Sequence, residues 1–507
     1  MKKSLKQGST LAVETPSPSL RGKLLFAASA GILALVAPGG IYGTRAHAQV
    51  SPVPDECNDA VDPNDANNSN NGDDFIDSGE TIVCVQNLAD LGPIDPIVTD
   101  VDELTLIIGD GMTEETQVLN DLDIDPVIPV NENTVINMSG ASNQTLNIKS
   151  DGSVLQEFGD VMGATPAVVV SSSGGDVAIE HRGQIESRGT QTGQAINAQV
   201  TAGEGNLTID SEGGSILGSV YAKNEGTGQI DLTLGATTQN FGTASTVEIS
   251  PGSGTGNVAL TTKGAIQTNG ADAVEIDNSG VGDTTVTVEN DIDAAGIGVR
   301  VNHSADGNLR ITTASGTTVT GGTNDGIRAT NTGTGTSYIK TEGAVSGGGS
   351  NGEGITLSHD SNANATVKTY ADVTSLEDHA VRVRNGRATA VGATTGNTLV
   401  ETNAALSGTI GVNVAHHSSR NLTINTKGAI TSTGDGLNDA GIRVANAVES
   451  WSISITTDGI IEAEQRRGID VQNSNTASLI ITTYADITAA SQVASANTYE
   501  GIRVQNS

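Results

Sequence analysis

Aromatic side chains are nearly missing from this chain: one Trp, six Tyr and four Phe in 507 residues. A polysaccharide-cutting groove usually stacks sugars on aromatic platforms, and this sequence supplies few. Positive charge is short as well. There are 25 Lys and Arg against 59 Asp and Glu, a net −34. Nucleic acid and anionic membrane surfaces both need basic patches, so this balance excludes them as partners. No P-loop, zinc motif or Gly-Gly-x-Gly-x-Asp calcium repeat occurs. Disorder is excluded too, because 36% of the residues are hydrophobic and many of these are β-branched. Glycine, with 63 residues, is what the chain has in excess.

The first 48 residues read as a targeting segment. Lys2, Lys3, Lys6, Arg21 and Lys23 form a basic start. The apolar stretch 24–36 that follows is short of the roughly 20 residues a membrane span needs. Ala46-His47-Ala48 has the small-x-small pattern of a signal-peptidase site, which places cleavage before Gln49. The alternative is an uncleaved anchor. Removing 1–48 takes away six basic residues and one acidic residue, leaving a net −39. No later hydrophobic run is long enough to cross a membrane as a helix.

Residues 49–130 form an acidic N-terminal region, with 20 Asp or Glu and no Lys or Arg. Seven of the 12 prolines fall here, and only Pro166 and Pro251 come later. Strand ladders exclude Pro, so this change is expected to mark the start of continuous sheet at about residue 131. Cys57 and Cys84 are the only cysteines. In an exported chain an isolated pair reads as a disulfide, the alternative being two free thiols. Between them, Asn67–Glu80 partly follows an EF-hand loop. Asp73, Asp77 and Glu80 are its candidate calcium ligands. Ser69 stands where the first Asp should be, and Asp74 where the sharp turn needs Gly. The stretch therefore reads as an acidic loop that binds calcium loosely at most, and no other cofactor is expected.

From 131 to 507 the chain is one repeat. A small anchor residue recurs at 167, 195, 219, 246, 273, 298, 326, 354, 380, 411, 441, 468 and 501, a mean period of 27.8 residues. The position after each anchor is Val or Ile in all thirteen copies, and two further on the residue is always aliphatic. The residue between is usually polar, as in Glu248, Glu275, Arg300, Arg382 and Arg503. That alternation is a strand with one buried face. A second strand follows, as in Leu422-Thr423-Ile424, and then a Gly and a short third, as in Gly428-Ala429-Ile430. Propeller blades need about 40–50 residues, whereas a unit of this length fits one coil of a parallel β-helix. Like residues should then stack at about 4.8 Å.

Five residues after the anchor stand Asn224, Asn278, Asn331, Asn385, Asn446, Asn473 and Asn506, with His303, His359 and His416 in the same column. They read as a structural turn ladder that satisfies turn amides, not as metal ligands or bases. His379 has Glu377 two residues away but no third ligand at a metal-binding spacing. Gly348-Gly349-Ser350-Asn351-Gly352 formally matches a nucleophile elbow but lies in a turn between coils. Glu248 and Glu275 should stack about 5 Å apart, near the separation of a retaining glycosidase pair, and read as solvated surface acids. No residue is assigned a catalytic role.

The leader before Gln49, the acidic segment with Cys57 and Cys84, and the Gly-Ile-x-Val…Leu-Thr-Ile-x-Thr-x-Gly-x-Ile coils resemble the N-terminal part of a proteobacterial autotransporter passenger (type V secretion). The resemblance covers nearly the whole chain. It implies a right-handed parallel β-helix carried to the cell surface by a C-terminal outer-membrane β-barrel. This chain lacks barrel strands with aromatic girdles and stops at Gln505-Asn506-Ser507, just inside a new coil. The expectation is a passenger truncated at its C-terminus, with the translocator outside this chain. It would be exported, displayed on a Gram-negative surface or released, and structural or adhesive rather than enzymatic. Its partners would be a host or neighbouring-cell surface protein or glycan. Two alternatives stand beside it: a β-helix polysaccharide lyase or glycosidase, and a calcium-dependent fibre or surface-layer component.

Overall fold

The computed structural model describes isolated strands between residues 57 and 156, then 166–489 and 500–506, apart from 188–192, 241, 387–394, 435–438, 447–451, 465–466 and 474–477. The leader 1–48, Asp73, Asp77 and Trp451 lie outside the described residues.

Every described element is a strand or a turn, and the strands form three sheets of 16, 14 and 15 members. One coil visits each sheet in turn. Ile230–Leu234 lies in the first sheet, Thr237–Asn240 in the second and Val247–Pro251 in the third. The chain then re-enters the first sheet at Val258–Thr262, hydrogen-bonded in parallel to Ile230–Leu234 one coil earlier. This is an all-β parallel solenoid.

The register follows the repeat. In the third sheet, the residues one after each of the thirteen anchors face one another in an unbroken series, Val168, Ile196, Val220, Val247 and so on to Ile502. The alternation turns this column inward. Ile469 and Val471 are fully buried, but Ile502 and Val504, on the last described strand, are 45% and 44% exposed. Burial therefore comes from the coil stacked above, at roughly 1.5–3 kcal/mol for each Val, Leu or Ile covered.

The anchors are small because the third sheet backs closely onto the second. A Cβ added at Gly298, Gly326 or Gly354 would lie 2.7, 2.5 and 2.5 Å from a methyl of Val319, Val345 and Val373. Upstream of residue 131, Glu80–Cys84 and Glu103–Ile108 form parallel ladders in the first sheet, and Ile97–Thr99 lies in the third. Pro93 and Pro96 precede Ile97–Thr99, and Pro126 and Pro129 follow Val118–Asn120. At the edge of the first sheet Cys57–Asp59 pairs antiparallel with Glu80–Cys84, with Cys57 opposite Cys84.

Candidate functional site

The Asn and His column lies at the end of the third-sheet strands, inside the corner. Asn224, Asn278, His303, Asn331, His359, Asn385 and His416 are at most 1% exposed, and Asn473 is 5%. Asn446 and Asn506 occupy the same register, but only their backbone is described. Asn278 and Asn331 accept through Oδ1 from the amides of Gly280 and Gly333, closing the turn. Their Nδ2 groups reach the next coil. Asn278 Nδ2 donates to Thr284 Oγ1, which lies 2.9 Å from His303 Nδ1. Asn331, Ser337 and His359 repeat the arrangement, as do Asn385, Thr398 and His416. Each Nε2 faces a turn carbonyl, of Gly307, Ala363 or Arg420. Burial holds all three imidazoles below their ordinary pKa. Both nitrogens of each of these three rings already have a partner.

The outward columns carry the chemistry that solvent can reach. Glu248 and Glu275 do stack directly across adjacent coils. Glu275 is held by Arg300 and by Ser245 Oγ at 2.6 Å, while burial and then the Glu275 charge raise the Glu248 pKa. On the first sheet Arg310 covers the ring of half-buried Tyr338, and Lys340 that of exposed Tyr370.

A concavity opens on the third sheet where the arginine column is interrupted. Arg328, Thr356 and Arg382 are successive residues of one outward column, and Thr330, Ser358 and Arg384 of the next. Thr356 between Arg328 and Arg382, with Thr330 and Ser358 beside it, leaves a notch of about 320 Å³. Acids and Asn351 close one end: Asp325, Glu353 and Asp378. Asp325 is fully buried and takes a two-point contact from Arg328, at 2.9 and 3.1 Å. Glu353 is 6% exposed and lies 2.7 Å from Arg382 Nη1. Its pKa is nevertheless pushed up to about 7, by burial first and by Asp325 next. Beside it His379 touches Asp378. Burial, aided by Arg382 and Arg443 and opposed by Asp378, lowers the His379 pKa to about 4, so the imidazole is neutral at physiological pH.

Glu377 stands two residues before His379 in the sequence, with no third ligand at a metal-binding spacing. Glu377 is exposed and stands apart from the cluster. The carboxylates beside His379 are its chain neighbour Asp378 and Glu353, which comes from the preceding coil about one repeat upstream. The usable signal was the period itself. Acids one repeat away are spatial neighbours, while those two residues along a strand are merely on the same face. The Ser350 turn contributes Asn351 to the notch.

Among known proteins, no family model, curated sequence or solved structure matches this chain. No helix among the described residues is long and apolar enough to cross a membrane.

Proposed function

We propose that this chain is an exported β-solenoid passenger, displayed on a Gram-negative cell surface or released from it, which binds a surface protein or glycan and turns nothing over. The observation that carries this reading is the outward face of the third sheet. One outward column runs in register across the coils and brings Arg300, Arg328, Arg382, Arg443 and Arg503 onto one face, interspersed with acids and amides. Such a face suits many weak contacts whose avidity accumulates. The leader and the coil pattern support delivery by an outer-membrane β-barrel. The net charge keeps the coils soluble and disfavours anionic membranes, so adhesion would be to protein or glycan.

The test is display of residues 49–507 on a non-adherent bacterium. Attachment to host cells or to neighbouring bacteria is expected. Specific cleavage of a polysaccharide or peptide panel, abolished by a single carboxylate substitution, would overturn the reading.

A further inference from the structure

The acidic end of the notch carries a separate inference that does not depend on adhesion. Glu353 enters from the turn before Ile355–His359, and Asp378 and His379 stand at the start of the strand stacked on it. One oxygen of each carboxylate and one imidazole nitrogen lie within 4.8 Å of one another. Nδ1 of His379 is buried, lies 3.9 Å from Glu353 Oε1 and touches Asp378 Oδ1, yet it makes a hydrogen bond with neither. The three groups thus converge on one small volume, and Glu353 and Asp378 also line the end of the notch. The groups behind it are fixed. His379 Nε2 is 2.8 Å from the side-chain amide of Asn413 on the next coil, and Glu353 is gripped by Arg382. Orienting an imidazole by its far nitrogen and a carboxylate by a second hydrogen bond is the work of outer-shell partners in metal centres. Among the described residues no Lys or Arg pairs with Asp378, so its charge is left over for a ligand.

We propose that Glu353, Asp378 and His379 bind one divalent transition-metal ion, with its remaining coordination positions open to the notch. One imidazole and two carboxylates suit a borderline ion such as Zn²⁺. Ca²⁺ and Mg²⁺ prefer all-oxygen shells, and no thiolate is present to favour a soft ion. Metal on Nδ1 puts the ring proton on Nε2, which then donates to Asn413 Oδ1 after the amide turns over.

The experiment is titration of the purified protein with Co²⁺ followed by visible absorption, then displacement by Zn²⁺. A single saturable set of d–d bands is expected, lost on adding one equivalent of Zn²⁺ and unaffected by excess Ca²⁺. His379→Ala and Asp378→Asn should abolish the bands, and Asn413→Ala should weaken Zn²⁺ binding about tenfold. Circular dichroism without metal separates site loss from misfolding: His379→Ala should melt like the wild type in the chelator EDTA, while only the wild type gains stability with Zn²⁺. No saturable band, or bands that survive in folded His379→Ala, would overturn the site and leave the ion to acidic stretches such as Asp73–Glu80.

Discussion

Three buried hydroxyls, of Thr284, Ser337 and Thr398, each meet an amide donor on one side and an imidazole on the other. An Asn Nδ2 can only donate, so the hydroxyl must spend its single proton on His Nδ1. The carbonyl at Nε2 requires the other ring proton to stay there. The neutral tautomer is thereby locked in His303, His359 and His416, and a second proton would set donor against donor. Burial lowers these pKa values below the unfolded 6.5 on folding. The unfolded chain binds more protons below that value, so their contribution to stability is intact above it and shrinks as pH falls. His181, buried and lowered to about 4, adds to the loss down to that pH. Asn already fills the same column elsewhere. The triple variant His303→Asn, His359→Asn, His416→Asn should therefore lose less melting temperature than wild type between about pH 7.5 and pH 5. Equal losses, measured by circular dichroism, would contradict the locked tautomer.

The strand is the scale at which the sequence was most legible. A residue such as Ile424 repeats its type one period away because its neighbours in space are its counterparts in the adjacent coils, Val400 and Ile455. Ile424 is fully buried and Thr423 beside it faces outward, half-buried. Ile424→Asp should destabilise by several kcal/mol through an unpaired buried carboxylate, and Thr423→Asp by no more than about 0.5 kcal/mol. Denaturant midpoints compare the two directly. The notch was not legible in this way. It exists because Thr356 interrupts the column of Arg328 and Arg382, and a break in a pattern carries no motif. The upstream strands were also missed. Proline density suggested a boundary, but the stretch between Pro96 and Pro126 holds three strands of three to six residues. The Asn and His column was readable as a recurring position, but its hydroxyl link was not, because Thr284 and its equivalents belong to a strand of another sheet.

At the scale of the whole molecule, the antiparallel strand Cys57–Asp59 covers an edge of the first sheet that would otherwise offer unpaired backbone groups. Directly opposed residues of such a pair have Cα atoms about 4.5–5.5 Å apart, within the range a disulfide spans. Cys57 and Cys84 should therefore be bonded under oxidising conditions and clamp that edge. Intact mass without reductant should be two hydrogens short, whereas two alkylatable thiols would refute the bond. By the chain-entropy model, reduction should cost about 3–4 kcal/mol.

The direction of the ladders has a mechanical consequence. Strands lie across the stack, so the hydrogen bonds joining coil to coil point along it and bear a stretching load in series. A pulled terminus meets only the bonds of the outermost coil at any moment. Under tension the solenoid should peel coil by coil at a nearly constant modest force, without the single high peak of strands sheared side by side. Each coil averages 27.8 residues. At about 3.4 Å per extended residue, each release should lengthen the chain by roughly 90 Å. Single-molecule pulling would read that step, and one all-at-once extension would show that the coils fail together.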